Sequence, residues 1–198
     1  MYSIVDIETT GQSSKITEIS IFIFDGKKIV DEYTTRVNPE SSIPPFITNL
    51  TGINNQMVGN APKFFEIAQK VEEITKDTIF VAHNVNFDFP FLNAELERAG
   101  YPSLSIKAID TVTLSQILMK TVKSYSLREL TSSLSIEHDH PHSAVSDAEA
   151  TAHLLVDLMK QLRELPTLTL EKLVELKLNL PQQTTMVLEQ ELERRVAN

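Results

Sequence analysis

The sequence predicts an α/β fold built on a five-stranded mixed sheet that is flanked by helices. Runs of Ile, Val, Phe and Thr dominate residues 1–37, and such runs predict strands joined by short turns. Further along, short apolar runs alternate with segments of helical periodicity. Strands linked by a hairpin pair antiparallel, whereas strands joined through a helix pair parallel. One sheet is therefore expected to contain both kinds of pairing.

The first strand begins almost at Met1 and contains the heptad VDIETTG at residues 5–11. The tetrapeptide DGKK at residues 25–28 has the composition of a hairpin turn and joins the second strand to the third. The second to fifth strands are expected at Thr17 to Phe24, Ile29 to Val37, Thr78 to Ala82 and Ile106 to Ile109.

Helices are predicted from apolar periodicity and from their start and stop signals. Asn60 is expected to cap a helix that has Pro62 just inside it, and Gly100 and Pro102 end the helix that follows. The predicted helices run from Pro44 to Leu50, Asn60 to Thr75, Asn86 to Ala99, Thr111 to Lys120, Ser126 to Leu134 and Ser143 to Glu164.

The composition changes after Pro166, and we expect a main domain at 1–165 followed by a helical tail or connector at 166–198. The tail is rich in Leu and Glu and has Pro181 in its middle, which predicts two helices. Its apolar stripe consists of Leu170, Leu173, Val174 and Leu180. We favour packing of this stripe on the main domain; the alternative is a connector that faces another domain or subunit.

Composition and charge exclude several classes of protein. Apolar residues make up 41% and charged residues 23% of the chain, which is typical of a globular protein. No apolar run is long enough to cross a bilayer, the start lacks a signal peptide, and the absence of cysteine excludes disulfides and thiol nucleophiles. We therefore expect a cytoplasmic protein. The net charge of −9 argues against a protein that coats nucleic acid, but not against an enzyme that grips one chain end through metals.

Two carboxylates of the first strand give the first indication of function. Side chains alternate between the faces of a strand, so Asp6 and Glu8 project from the same side. Such a pair on an apolar strand is costly unless a cation sits between the oxygens. Hard oxygen ligands suit Mg²⁺ or Mn²⁺.

Two later segments carry further acids. Asp88 lies in the first turn of a helix that directly follows a buried strand, where α/β sheets tend to place their sites; alone, it could equally compensate the helix dipole. Asp147 lies in the first turns of the long helix, five residues after His142. Each of these segments alone is weak support for a site.

Together the three segments, in this order, resemble the DEDDh 3′–5′ exonucleases, the family of the bacterial proofreading epsilon subunit. Asp6 and Glu8 match the first motif, Asp88 the second, and Asp147 with His142 the third, where the histidine marks the "h" branch. The resemblance covers about residues 1–163 without a departure at any motif position. It extends to the exonuclease domain of the Gram-positive proofreading polymerase and, more so, to that of DinG-type helicase-like proteins.

The resemblance implies an RNase H-like fold and a metal-dependent 3′–5′ exonuclease that removes nucleoside 5′-monophosphates from DNA 3′ ends, preferably single-stranded. Two divalent cations, Mg²⁺ or Mn²⁺, lie about 4 Å apart in such sites. On this hypothesis Asp6 bridges both ions, Glu8 and Asp147 complete the first, and Asp88 holds the second. His142 takes the proton of the attacking water as general base. The DinG-like tail further implies a helicase-like domain or a polymerase partner, and a chain that is a fragment of a longer protein.

Several residues are predicted to contact the terminal nucleotide. Main-chain N–H groups of Thr9, Thr10 and Gly11 follow the first strand, although a turn that needs glycine would explain them as well. The segment from Ile43 to Ile53 looks like the family's segment beside the terminal nucleotide. The remaining candidates from these segments are Leu50, Thr51, Ile53, His83, Asn84 and Phe87.

For several of these residues, packing within the protein is an alternative to contact with the nucleotide. We favour a role in the strand-to-helix turn for His83 and core packing for Phe87 with Phe91. Phe46 and Phe89 could stack on a base, but core packing is again preferred. Lys123 and Arg128 are candidate phosphate contacts, with a solvated face as the alternative.

Three alternating histidines, His138, His140 and His142, look like a zinc box together with Asp139. We favour solvated loop histidines of which His142 alone is functional. Among alternative functions, an exoribonuclease stays open because the motifs do not distinguish the sugars. A non-catalytic domain that binds ends or partners is disfavoured, because four clustered acids and a histidine have no structural benefit.

Overall fold

In the computed structural model, residues 1–11, 15–104, 108–175 and 182–197 are described, with the side chains of 182–184 left aside. Within these ranges the strands are β1 (Tyr2–Thr9), β2 (Ile16–Phe24), β3 (Ile29–Arg36), β4 (Ile79–Ala82) and β5 (Ala108–Asp110).

The strands form one sheet in the order β3-β2-β1-β4-β5. The three strands β3, β2 and β1 pair antiparallel, whereas β1 pairs parallel with β4 and β4 with β5. The predicted mixed sheet of five strands is therefore confirmed. Ile106 and Lys107, which the sequence places in the fifth strand, lie outside the described residues, and the described strand continues to Asp110.

The helices agree with the predicted ones to within a few residues, apart from the region around Asn60. Those of the main domain are α1 (Pro45–Thr51), α2 (Asn55–Val58), α3 (Phe64–Thr75), α4 (Val85–Arg98), α5 (Thr111–Leu118), α6 (Leu127–Leu134) and α7 (Ala144–Glu164). The tail forms α8 (Thr167–Glu175) and α9 (Gln182–Val196). Among the described helices, none is long and apolar enough to cross a membrane.

The predicted cap at Asn60 is wrong. The third helix begins at Phe64, and the carboxylate of Glu66 accepts a hydrogen bond from the backbone N–H of Lys63 at 2.7 Å. The segment before it instead forms the short helix α2, which is capped by the side chain of Asn54. Asparagine is a favoured cap at either position, so residue type alone does not separate the two.

The core lies on both faces of the sheet. One face packs against α3 and α4 through side chains such as Val5, Ile7 and Phe80. The other face, which includes Ile4 and Val81, packs against α5, α6 and the long helix α7. Asp6 and Glu8 share the parity of Ile4 and so lie on the α7 face.

The tail packs on this second core, as the favoured interpretation of its apolar stripe predicts. Leu170, Val187 and Leu188 are buried in the same cluster as the side chains of α7, and Leu173 and Val174 pack against it. Leu180, the fourth residue of the predicted stripe, lies outside the described residues.

Candidate active site

The site begins at the carboxyl end of β1, in the middle of the sheet. Asp6 pairs with Ser20 and Glu8 with Glu18 in the antiparallel register of β1 and β2. A register shift between Glu8 and Thr9 ends the regular ladder there. The carboxylates of Asp6 and Glu8 therefore emerge where the strand leaves the sheet.

Asp88 joins this end of the strand from the first turn of α4. Its side chain is 3% exposed, and its Oδ1 accepts a hydrogen bond from the backbone N–H of Ile7 at 3.2 Å. This contact spans 81 residues of sequence. Asp88 is thus tied to the strand that carries Asp6 and Glu8, while its carboxylate also accepts a hydrogen bond from its own backbone N–H in the first turn of α4.

Asp147 arrives from the N-terminal end of α7. Buried alanines at Ala144, Ala148 and Ala152 line the side of the helix that faces the sheet, and small side chains allow a close approach of helix and strand. His142, in the loop before the helix, is exposed and has a φ of +68°. Its backbone N–H donates to Oδ2 of Asp147 at 3.1 Å.

The carboxylates repel one another in a partly buried place. Burial, and then the charges of Asp88, Asp147 and Glu8, raise the pKa of Asp6 well above its usual range. Burial followed by the charge of Asp147 raises the pKa of Glu8 to about 8. The pKa of Asp88 is likewise raised to about 8 by burial, despite the hydrogen bond from Ile7. Without a cation, this arrangement is electrostatically unfavourable.

The donor set fits a hard divalent cation. A carboxylate oxygen of Glu8, a ring nitrogen of His142 and a carboxylate oxygen of Asp147 lie within 4.8 Å of one another. Asp6 lies two residues before Glu8 on the same strand, and Asp88 is joined to that strand by the hydrogen bond from Ile7. Carboxylate ligands of this kind suit Mg²⁺ or Mn²⁺, and a bound cation would offset the burial and the repulsion that together raise the three pKa values.

The main-chain N–H groups of Thr10 and Gly11, which were predicted to contact a nucleotide, already donate hydrogen bonds within the protein. The N–H of Thr10 donates to the carbonyl of Lys15 at 2.9 Å, and that of Gly11 donates to Oγ1 of Thr9 at 3.1 Å. Thr9 and Thr10 are themselves buried. The alternative of a turn that needs glycine is supported, because Gly11 has a φ of +80°.

Gly11 nevertheless brings α1 to the site. A Cβ at this position would lie 3.3 Å from Cδ1 of Ile47 and 3.5 Å from Cζ of Phe46. On the same helix Phe46 and Leu50 are exposed by 63% and 52%. The preferred core role of Phe46 is therefore wrong. An apolar surface borders the acids on this side.

Other candidate nucleotide contacts divide into packed and exposed residues. Ile53 is buried in a small cluster with Ile43, Ile47 and Val58, and Thr51 donates its hydroxyl to the carbonyl of Ile47. The ring of His83 bonds to the hydroxyl of Thr111 at 2.9 Å and the carbonyl of Tyr125 at 3.0 Å. Ile53 is therefore not accessible to a substrate. Both ring nitrogens of His83 are used within the protein, which agrees with the favoured role of His83 in the strand-to-helix turn.

The two phenylalanines on either side of Asp88 have opposite roles. Phe87 is exposed by 40% and lies against Phe91 with ring centroids 4.7 Å apart, so its preferred role as a core residue is wrong. Phe89 packs edge-on against Phe80 in the core. The side chain of Asn84, at the cap of α4, is exposed as well. Lys123 and Arg128 are both exposed.

Two residues at the site were not anticipated. The side chain of His138 is 6% exposed and bonds to Asp147, so the expectation of a solvated histidine is wrong there. The buried carboxylate of Glu18 accepts a hydrogen bond from the N–H of Ala144, at the start of α7, at 3.1 Å. Glu18 could have been found from the sequence, because it is a lone acid on an apolar strand that pairs with Glu8 across the hairpin.

Comparison with known sequences gives a family. The sequence model of the RNase T type exonucleases, described as "Exonuclease", matches residues 3–155. The 3′-5′ exonuclease DinG of Bacillus subtilis (strain 168) is 39% identical over 176 residues, 87% of this chain and 19% of that protein. The PolC-type DNA polymerase III of Caldanaerobacter subterraneus subsp. tengcongensis is 38% identical over 167 residues, 83% of this chain and 12% of the polymerase. The chain spans about a fifth or less of these relatives.

Solved structures share the fold. Exonuclease X in complex with 5′ overhanging duplex DNA is 29% identical with a TM-score of 0.62, covering 81% of this chain and 92% of that chain. The nuclease domain of 3′hExo, a DEDDh family member bound to rAMP, has a TM-score of 0.70 at 20% identity, covering 80% and 91%. The mixed sheet is thus the RNase H-like sheet of these enzymes. Because the family model matches most of the chain, over a range that includes the four acids and His142, this chain belongs to the RNase T type exonuclease family.

Proposed function

We propose that this chain is a 3′–5′ exonuclease that removes nucleoside 5′-monophosphates from the 3′ ends of DNA, preferably single-stranded. The observation that carries the proposal is the convergence of Asp6, Glu8, Asp88 and Asp147 with His142 at one strand end. The relatives named as 3′-5′ exonucleases and the likeness to Exonuclease X, which was solved with DNA, support this substrate.

The four acids would hold two divalent cations, Mg²⁺ or Mn²⁺. Such cations, when bound, would supply activation of the attacking water and stabilisation of the departing 3′ oxygen. His142 lies at the exposed mouth of the site, where it can accept the proton of that water and pass it to solvent. Asp6, Glu8, Asp88 and Asp147 would then act as the oxygen ligands.

The terminal nucleotide would lie on the apolar border of the acids. Phe46, Leu50 and Phe87 are exposed, and bases stack on such side chains without regard to sequence. The backbone around Thr51 and the side chain of Asn84 would complete the contacts. Lys123 and Arg128 are available at the surface for the backbone phosphates.

The Asp6→Ala variant tests this function. We expect it to lose hydrolysis of a 5′-labelled single-stranded DNA oligonucleotide by at least about 10³-fold, since loss of an essential charge-stabilising group costs this much. Product ladders on denaturing gels measure the loss. The variant is expected to unfold at the same or a higher temperature, because the substitution removes a repelled carboxylate.

The matched control is Asp31→Ala, which removes an exposed acid from the edge strand β3 and is expected to keep full activity. A chelator should abolish hydrolysis by the unaltered chain, and Mn²⁺ should restore it. An Asp6→Ala protein that hydrolyses DNA at the rate of the Asp31→Ala protein would contradict the proposal.

Polymer preference is tested with DNA and RNA oligonucleotides of matched sequence, each labelled at the 5′ end. We expect the DNA to be shortened faster than the RNA. Faster shortening of RNA would instead identify an exoribonuclease. Shortening from the 5′ end, seen with a 3′ label, would reject the proposed polarity.

The partners of the chain also belong to this proposal. The DinG relative is about five times and the PolC-type relative about eight times longer than the aligned region, so a helicase-like domain or a polymerase subunit reached through α8 and α9 stays a prediction. A cytoplasmic location stays a prediction as well. Co-purification of the tagged full-length gene product would identify such a partner.

A further inference from the structure

His138 occupies a place in the site that the proposed mechanism does not use. It lies in the loop between α6 and α7, four residues before His142. Its side chain is only 6% exposed, whereas His140 and His142 in the same loop are exposed. The ring therefore points into the protein at the point where the loop meets the acids.

The contact that His138 makes is with Asp147. Its Nε2 lies 2.5 Å from Oδ1 of Asp147, while Oδ2 of the same carboxylate accepts the backbone N–H of His142 at 3.1 Å. Both oxygens of Asp147 are thus held by one loop. A carboxylate held at both oxygens has its side-chain rotation fixed.

The other ring nitrogen of His138 has no competing role. Nδ1 is buried, and within the described part of the chain it has no hydrogen-bond partner. The ring thus makes its one hydrogen bond there to Asp147. Carboxylate oxygens accept hydrogen bonds, so Nε2 of His138 is the donor in this contact.

We propose that His138 is a positioning residue that orients the carboxylate of Asp147 for a divalent cation; this rests on the proposed function of the site. The physical need is electrostatic. Asp147 faces the carboxylates of Glu8 and Asp6, and like charges would turn an unrestrained side chain away from them. The N–H of His138 opposes that rotation before any metal arrives.

Three substitutions separate hydrogen bonding from simple packing. In His138→Gln the side-chain amide nitrogen reaches the place of Nε2, whereas in His138→Asn the amide stops near the place of Nδ1 and falls short of Asp147. His138→Ala removes the donor altogether. The matched control is His140→Ala, an exposed histidine of the same loop.

The primary measurement is Mn²⁺ affinity by calorimetry and by the loss of the free Mn²⁺ signal in electron paramagnetic resonance. Loss of a hydrogen bond to a metal ligand weakens metal binding by about 10–100-fold, and we expect this for His138→Ala and His138→Asn. His138→Gln should remain within about threefold of the unaltered chain, as a restored hydrogen bond requires. His140→Ala should bind as the unaltered chain does.

Kinetics on single-stranded DNA give a second measurement. At a fixed, subsaturating Mn²⁺ concentration, kcat should fall in the Ala and Asn variants while KM for DNA stays constant, because no group that touches the nucleic acid is removed. Circular dichroism at 10 °C checks that each variant is folded. If His138→Ala does not fold, the Mn²⁺ affinities of His138→Gln and His138→Asn are compared instead.

Two results would overturn the proposal. Unchanged Mn²⁺ affinity in His138→Ala or in His138→Asn would show that the bond to Asp147 does not position the ligand. A His138→Gln variant as weak as the Asn variant would show that the imidazole itself, as a ligand or by its shape, is required. An unaltered chain that binds Mn²⁺ but cleaves no nucleic acid would reject the proposed function alone, since Mn²⁺ affinity would still report on His138.

Discussion

The carboxyl groups of Asp6, Glu8 and Asp88, all with a raised pKa, couple protonation to folding. The pKa of Glu8 rises from an ordinary value of 4.5 to about 8, and that of Asp88 from 3.8 to about 8, chiefly through burial. At a pH between the ordinary pKa and the raised pKa of these groups, the folded chain holds protons that the unfolded chain has released. The unfolded state therefore binds fewer protons, and the free energy of unfolding falls as the pH rises through this window.

Thermal unfolding should reveal this coupling. In a chelator, we expect the Tm to fall by at least about 3 °C between pH 5 and pH 8, since 1 kcal/mol moves the Tm of a chain of this size by about 2–4 °C. Saturating Mg²⁺ should raise the Tm more at pH 8 than at pH 5, because ligands bind metal in their deprotonated form. Scanning calorimetry measures both effects.

A matched pair assigns the effect to the site. Asp88→Asn should make the Tm in chelator less dependent on pH, because the amide does not titrate. Asp31→Asn, on the exposed edge strand, should leave the dependence unchanged. Equal pH dependence in the two variants would show that the general acidity of the chain, and not the site, is responsible.

Single residues also show how far the sequence predicts the site. Alternation along a strand suffices to put Asp6 and Glu8 on one face, and motif order suffices to group them with Asp88 and Asp147. Burial of His138 depends on the path of an irregular loop, which has no periodicity to follow. Glu18 depends on the register of two strands, and a register is set by the turn and the whole buried face.

At the scale of elements, the end of α7 is stabilised from a distant part of the chain. The guanidinium of Arg195 on α9 donates to the carbonyls of Leu162 and Arg163 at 2.9 Å and of Leu165 at 2.7 Å. The last carbonyls of a helix lack partners within it, and a cation there also favours the helix dipole. Glu191 holds Arg195 in place at 2.9 Å.

Removal of this cap should destabilise the protein. We expect Arg195→Ala to lower the free energy of unfolding by about 1.5–3 kcal/mol, the contribution of hydrogen bonds to a charged group. Arg128→Ala, at an exposed position of α6, should change it by less than about 0.5 kcal/mol. Urea unfolding followed by circular dichroism compares them. Equal midpoints and slopes for the two variants would refute the capping role.

Elements differ in how well their sequence specifies them. Long segments such as α4 and α7 are predictable because many of their positions follow the same helical period. The region from Asn54 to Lys63 contains several residues that cap helices well, and a four-residue helix has too few positions to show a period. The start of α3 is marked by the contact between Lys63 and Glu66 and by the bridge between Asn38 and Lys63, neither of which follows from residue type alone.

For the whole molecule, the packed tail extends the core beyond the main domain. Leu188 of α9 is fully buried, whereas Leu168 of α8 is exposed by 62%. The sequence suggested this packing through one apolar stripe, but it gave no partner for the stripe. α8, which carries the described residues of the stripe, packs against α9, and α9 in turn packs against α7 and β5, a surface that forms only once the sheet has assembled.

The tail is therefore expected to contribute to global stability. Leu188→Ala should lower the free energy of unfolding by about 2–5 kcal/mol, and Leu168→Ala by less than about 0.5 kcal/mol. A chain of residues 1–165 should unfold at a lower temperature than the full chain. If 1–165 keeps the Tm and the cooperativity of the full chain, the tail is a separate unit and the boundary predicted at Leu165 is a true domain boundary.

The acids of the site are distributed along most of the sequence, and this has a consequence for synthesis. Asp6, Asp88 and Asp147 come from the first strand, the fourth helix and the seventh helix, and the sheet that unites them needs β4 between its parallel neighbours. A growing polypeptide on the ribosome therefore has no complete metal site until the start of α7 has left the exit tunnel. If the proposed function holds, the nascent chain, which emerges beside messenger RNA, stays without nuclease activity until the start of α7 has folded against the sheet.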